Sequence, residues 1–336
     1  MPTIRTPAGG YVSYVDKITD RQLRQYLYNL ERKNNALIER RDISREKKLK
    51  EIFNKATDRL ESNLDRYYKN YATKEGITLA EARKRASEFD IRRWERAAAR
   101  AVKAKDFTPE TNDWLRLYNL KMRASREEVM LAEAHMDMIT MFDEVQRLGH
   151  AGMTEEALKE TQRQAGILSG QPIVKEEIIR LVDSDFYSTN GFSNLIWGRT
   201  GHMSKLSKEL TDIMTNMAVD QDGYRNNWKA LSKRMDVAES NAKRLIITEE
   251  RRMIAKTQLE TYMRNDFEYY VYVAESGACP DCNALDGLVF RVDEAVSGVN
   301  FQIMHPFCRC NSHGYKPMEL LNTATGKWEA VSPHDL

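Results

Sequence analysis

The sequence predicts a mainly α protein: long charged helices followed by a small α+β module at the C-terminal end. Three observations carry that prediction. Apolar residues recur at three- and four-residue steps from residue 19 to about residue 265, the period of helices with one buried face. Charged residues make up 30% of the chain against 41% hydrophobic, a mixture suited to helices with solvated outer faces rather than to one large core. Beyond residue 265 the pattern changes to the β-rich run Tyr269-Tyr270-Val271-Tyr272-Val273 and a second at Leu288-Val289-Phe290.

Residues 1–17 hold Pro2, Pro7, Gly9 and Gly10 without a helical period, and read as a flexible arm: a frayed terminus or a tail that binds a partner. Residues 18–170 read as the helical region. Thr19 can cap a helix carrying Leu23, Tyr26, Leu27 and Leu30, and Leu49, Ile52, Phe53, Ala56, Leu60 and Leu64 repeat the spacing as one long helix over residues 44–71. Gly76 breaks the pattern, and helices follow at 78–89 and 91–105. The second is dense in Arg92, Arg93, Arg96, Arg100, Lys103 and Lys105; with Glu95 and Asp106 nearby it reads as a solvated face, and alternatively as a contact for DNA phosphates.

Pro109 opens a further helical pattern over 114–148 with Met122, Met130, Met136, Met138 and Met141 along or near its apolar side, a stripe that reads as core ahead of a docking surface. Gly149 and Gly152 should end it, a short helix should follow at 154–166, and Gly170-Gln171-Pro172 marks a joint. Helices at 204–217, 223–233 and 238–265 lead to the β-rich segment.

The whole-chain charge excludes little and suggests less. With 52 Lys+Arg against 50 Asp+Glu the formal balance is +2, so any nucleic-acid contact would come from a local patch. No apolar stretch is long enough to cross a bilayer, so no membrane partner is expected, and the start of the chain lacks the apolar run of a signal peptide, so synthesis in a cytoplasm is expected.

All 4 cysteines fall between Cys279 and Cys310, where scattered core thiols would spread along the chain. In Cys279-Pro280-Asp281-Cys282 a two-residue gap lets a tight turn aim both sulfurs at one point, as tetrahedral Zn²⁺ requires. His305 and Cys308 repeat that gap, and Cys308 and Cys310 would share one side of an extended segment. Cys279, Cys282 and His305 with either Cys308 or Cys310 make a closed, structural zinc site, and the sequence leaves that last choice open. His313 is a sixth donor that reads as a surface histidine. Were only three ligands protein groups, an exchangeable water would make hydrolysis conceivable, with Glu275, Asp281 or Asp286 as the nearest bases. No P-loop, dinucleotide fingerprint, nucleophile elbow or HExxH occurs, so no enzyme is expected.

The run from Cys279-Pro280-Asp281-Cys282 through Leu285-Asp286-Gly287 and Phe290 to His305-Pro306-Phe307-Cys308-Arg309-Cys310 resembles the phage head morphogenesis family named after the F protein of phage Mu. Phe192-Ser193-Asn194-Leu195-Ile196-Trp197 is similar to that family's aromatic opening, and the helix from Ala242 to its end near Thr248-Glu249 is similar to another of its pieces, with Ile247 where the family has an arginine. The likeness covers residues 186–318, with the zinc module at 270–316 and a C-terminal tail at 319–336 too short to hold an appended toxin or nuclease. It implies a minor capsid protein in the virion interior near the portal, made in a bacterial cytoplasm. Portal protein, major capsid or scaffolding protein and packaged DNA are the implied partners, in head assembly, DNA packaging or ejection. The rival reading is a zinc-dependent nuclease acting on DNA during packaging or entry. A host nucleic-acid-binding regulator is disfavoured by the lack of a basic cluster around the cysteines.

Overall fold

In the computed structural model, residues 3–5, 11–14, 16–18, 21–72, 126–168, 170–219, 224–316, 318–322 and 327–331 are described. The helices expected at 78–89 and 91–105, with the basic face from Arg92 to Lys105, lie outside the described residues, as does Met122. Described helices are α1 (Arg21–Ala72), α2 (Arg126–Leu168), α3 (Lys175–Phe186), α4 (Phe192–Trp197), α5 (His202–Val219), α6 (Tyr224–Arg264) and α7 (Pro280–Ala284). The strands are β1 (Thr3–Arg5), β2 (Tyr11–Ser13), β3 (Asp16–Lys17), β4 (Tyr269–Val273), β5 (Leu288–Arg291), β6 (Asn311–Tyr315), β7 (Met318–Asn322) and β8 (Lys327–Val331). The protein is thus mainly helical with a small sheet near its C-terminal end.

Two compact units divide these residues: Met1–Arg45, Gly149–Asp185 and Arg244–Leu336 form the first, and Glu46–Leu148 with Phe186–Lys243 the second. Each draws on separate stretches of sequence, because the long helices supply residues to both.

The second unit has an apolar interior. Leu49, Phe53, Ala56 and Leu60 are buried on α1, at the three- and four-residue steps that the sequence shows. Phe53 meets Phe142 edge-on at 6.4 Å, Phe142 meets Trp197 at 6.5 Å, and Phe186 stacks on Phe192 at 5.1 Å. Met130, Met138 and Met141 are buried too and Met136 is half-buried, so three of the four described methionines of the stripe are core. The indole of Trp197 donates to Gln146 Oε1 at 2.5 Å, which fixes the short α4 against α2.

In the first unit a four-stranded antiparallel sheet has the order β3-β5-β4-β6. Strand alternation splits its side chains between two cores. Tyr270, Tyr272, Leu288 and Phe290 pack with Tyr262 and three of the cysteines, Cys282, Cys308 and Cys310. Val271, Val273 and Val289 pack on the other face with Ile18 and Leu27.

Several expectations change. The N-terminal arm contains strands: β1 pairs with β2, and β3 adds an edge to the C-terminal sheet through Asp16 opposite Val289 and Lys17 opposite Leu288. Burial of Ile18 at 1% exposure explains the attachment, an apolar anchor that has no helical period to announce it. Helix α2 does not stop at Gly149 or Gly152 but runs to Leu168, absorbing the helix expected at 154–166. The reason is close packing: a Cβ built on Gly152 would sit 1.9 Å from Glu250 Oε1, so the glycine makes room for a carboxylate from α6 rather than breaking the helix. Helix α6 joins the separate segments expected at 223–233 and 238–265, and the tail at 319–336 carries the β7–β8 hairpin. Residues 170–174 have no regular structure, in agreement with the expected joint.

Candidate metal centre

The two halves of the cysteine motif are placed by turns on either side of β5, the first between β4 and β5 and the second between β5 and β6. In the first half Pro280 occupies the opening turn of α7, where its missing N–H costs nothing, and Cys279 stands as the extended cap before it. The backbone N–H of Asn283 donates to Cys279 O at 2.9 Å, and this turn carries Cys282 into the core at 0% exposure. The following Leu-Asp-Gly has three separate tasks. Leu285 is buried beside Cys282, the Asp286 carboxylate accepts the Ala274 N–H at 3.0 Å and pairs with Arg24, and Gly287 takes the left-handed φ of 76° that turns the chain into β5.

In the second half the Cys308 N–H donates to His305 O at 3.0 Å and closes a tight turn with Phe307 at a left-handed φ of 61°. The His305 ring is oriented from behind. Its Nδ1 lies 2.9 Å from Pro306 O, a carbonyl that can only accept, so Nδ1 carries the proton and Nε2 offers a lone pair. That Nε2 sits 3.5 Å from the sulfurs of both Cys279 and Cys282, and Cys282 Sγ lies 4.0 Å from Cys308 Sγ.

Two donor triads result, Cys279–Cys282–His305 and Cys282–Cys308–Cys310, each with its ligand atoms within 4.8 Å of one another and with Cys282 in common. All five residues named from the sequence therefore come together. A tetrahedral ion with bonds of about 2.3 Å to sulfur and about 2.0 Å to nitrogen has S···S edges near 3.8 Å and S···N edges near 3.5 Å. The two 3.5 Å separations match the S···N edge and the 4.0 Å separation lies close to the S···S edge, so the donor types and these three edges suit such an ion, on which the two triads would close by drawing together around Cys282.

The electrostatics fit as well. Hydrogen bonds from the Cys282 and Cys310 thiols hold Cys308 near a pKa of about 2, while the same contacts drive Cys282 far above the ordinary thiol range. Cys310 is pushed up to about 12: a hydrogen bond from Cys282 pulls it down, but Cys308 and burial outweigh that. The backbone N–H of Cys282 lowers Cys279. So many thiols in one place cannot all ionise unaided, and a divalent cation is the group that would allow it.

His313 is not a surface residue: it is 3% exposed and its Nε2 lies 2.8 Å from Glu31 Oε1. Strand β6 turns it inward against α1, where burial opposes ionisation of Glu31 but His313 and Arg163 outweigh it and hold its carboxyl below the usual range. Of the bases considered, Glu275 accepts a hydrogen bond from Asn35 and Asp286 is engaged as described, while Asp281 is exposed on α7. Sequence reasoning passed over Tyr272. The alternation of Tyr270 and Tyr272 in β4 was the signal that both share the cysteine face.

Residues 204–313 match the family model described as "Phage Mu protein F like protein". This segment is similar to the Mu F-like phage head proteins. The matched residues are roughly a third of the chain and include all five metal-donor candidates. The family points to phage head morphogenesis, the virion and capsid-related partners in general. Comparison with curated proteins and with solved structures gives no match. Within the Mu F-like segment Thr248-Glu249 lies inside α6 rather than at its end, and Glu249 pairs with Arg252, which also holds Asp185. Among the described residues no helix is long and apolar enough to cross a membrane.

Proposed function

We propose that the protein is a minor head protein of a tailed phage, bound to the portal or the inner capsid wall and acting in head assembly, DNA packaging or ejection. The observation that carries this is the Mu F-like match over residues 204–313, within which the whole Cys/His cluster falls. In this reading Cys279, Cys282 and His305 with Cys308 or Cys310 hold one structural Zn²⁺. Such an ion, closed by four protein ligands, contributes folding energy and offers no open position for water. The residues themselves act as a clamp: α7 and the His305–Cys308 turn are short, loop-rich pieces that have little core of their own to order them. The long helices then present the surfaces for portal, scaffold or packaged DNA.

The test separates this reading from that of a zinc-dependent nuclease. Heads assembled with a Cys279→Ser protein should lack this component and package or deliver DNA poorly, while the free wild-type protein should turn over no nucleic acid with Zn²⁺, Mg²⁺ or Mn²⁺. Metal-dependent cleavage abolished by Asp281→Asn would move the case to the nuclease. Normal incorporation and infectivity of the Cys279→Ser heads would remove the clamp's role in assembly.

A further inference from the structure

The segments that carry the cysteines are tied together by one buried amide on α1, outside the Mu F-like match. Asn35 is 3% exposed, and each side of its amide meets two partners. Its Nδ2 donates to the Glu275 carboxylate and, at 3.0 Å, to Arg309 O. Its Oδ1 accepts from Arg251 Nη1 at 2.9 Å and from Asn311 Nδ2 at 3.3 Å. A carbonyl can only accept and a guanidinium can only donate, so the amide has one orientation, and all of its hydrogen-bonding sites are used.

These partners sit at chosen places in the chain. Glu275 lies four residues before Cys279, where the chain leaves β4, and its backbone N–H is hydrogen-bonded to the Cys310 sulfur. Arg309 and Asn311 flank Cys310, and Arg309 follows Cys308 directly. Arg251 belongs to α6. A single side chain therefore joins the approach to the first half of the motif to the backbone of the second, and anchors both to a helix of 52 residues. Donors brought from two short turns need an outside support of this kind to keep their separation.

Other α1 side chains reach the same module in another way. Glu39 pairs with Arg309 at 2.5 Å with both side chains at least 40% exposed, and Arg24 pairs with Asp286 at the surface. Exposed pairs of this type hold a position weakly. Of these three contacts only that of Asn35 is buried and touches both halves.

We infer that Asn35 is a positioning residue of the metal centre, setting the distance between its two halves through Glu275, Arg309 and Asn311. The inference rests on the metal reading given above. It makes α1 a working part of the centre, through a residue 240 positions from Glu275.

The test compares the full chain loaded with Zn²⁺ and stripped by a chelator. An ion that binds only the folded chain raises its melting temperature, by an amount that shrinks as affinity falls. Asn35→Asp keeps the acceptor used by Arg251 and Asn311, and replaces the donor side by a carboxylate that repels Glu275 and Arg309 O. Its Zn²⁺ affinity, read by competition with a chelating dye, should fall roughly 10- to 100-fold, and the gap between its loaded and stripped melting temperatures should narrow. Asn35→Ala, which removes both sides of the amide, should narrow the gap too. Glu39→Gln should leave gap and affinity at their wild-type values. A role confined to packing would lower both melting temperatures equally and leave affinity unchanged, and that result in Asn35→Asp would overturn the inference. So would a Glu39→Gln chain that loses as much affinity as Asn35→Asp. A wild-type chain that takes up no Zn²⁺ would instead refute the metal reading itself, an outcome visible before any variant is made.

Discussion

The two compact units solve the same problem, joining long helices, with a different balance of chemistry. In the second, α1 and α2 meet through Phe53 and Phe142, with Met138 and Met141 buried nearby, and two polar pairs, Asn63 with Asp137 and Arg66 with Glu133, add to that apolar contact. In the first, the same two helices meet through charge. Arg45 is only 7% exposed and reaches Glu156 at 2.7 Å, Glu155 at 2.9 Å and, on α6, Glu250 at 3.0 Å, while Arg41 grips Glu156 with two bonds of 2.6 Å. An apolar interface tolerates small shifts in register, because dispersion and area burial are not directional. A buried guanidinium fork does not, since each N–H must meet an oxygen or remain uncompensated. The contrast teaches that the first unit's helices are held in one specific alignment, at a cost in net stability that apolar residues would not incur.

Three substitutions would break or sharpen that contrast. The largest effect should come from Arg45→Ala, which takes from Glu156 one of its two arginines and from the buried Glu250 carboxyl its hydrogen-bonding partner; about 3 kcal/mol should be lost, as read by chemical denaturation. A loss below about 1 kcal/mol would mean that water reaches the cluster and that the charged interface is no more specific than the apolar one.

Next comes Glu250→Gln. Burial, opposed by Arg45 and reinforced by Asp42 and Glu156, pushes the Glu250 carboxyl up to about 8 from an ordinary 4.5. Its folded value lies above its unfolded one, so its contribution to stability is complete below about pH 4.5 and is lost as the pH rises through about 8. The glutamine variant has no such titration. Relative to wild type it should therefore gain stability, by about 1–3 kcal/mol, between pH 5 and pH 8.5 in parallel thermal melts. A glutamine variant that instead weakens steadily over that range would show Glu250 ionised and bound as an ordinary ion pair.

The smallest effect should come from Arg147→Ala. Its pair with Asp143 has the arginine 74% exposed, and solvent screens it, so the loss should stay below about 0.5 kcal/mol and vanish in high salt. A loss as large as that of Arg45→Ala would show that ion pairing stabilises this protein regardless of burial.

How much was legible follows the same division. Leu49, Phe53, Ala56 and Leu60 announce the apolar side of α1 by spacing alone, because burial of one helix face is a property of the helix itself. Arg45, Glu156 and Glu250 look like solvated charges in sequence, and nothing in their spacing says that they are buried against one another. The glycines misled for a related reason: at Gly152 the missing side chain serves the carboxylate of a residue 98 positions further along the chain, a partner that local propensity cannot see. His313 was misjudged because a strand's inward face is fixed by what packs on it, here Glu31 of α1.

The sequence by itself determined the helical periods, the two β-rich runs of the C-terminal module and the identity of its five metal-donor candidates, since helix period, strand propensity and two-residue gaps between donors are all written within a few residues of chain. Tertiary structure alone decided the rest. It made an edge strand of the N-terminal arm, drew the charged residues of α1, α2 and α6 inward as partners, and set the Tyr272 hydroxyl against the sulfurs. Each of these depends on residues tens to hundreds of positions apart, and the free energy of burying a charge or a hydroxyl is set by the partner it meets rather than by the residues beside it in the chain.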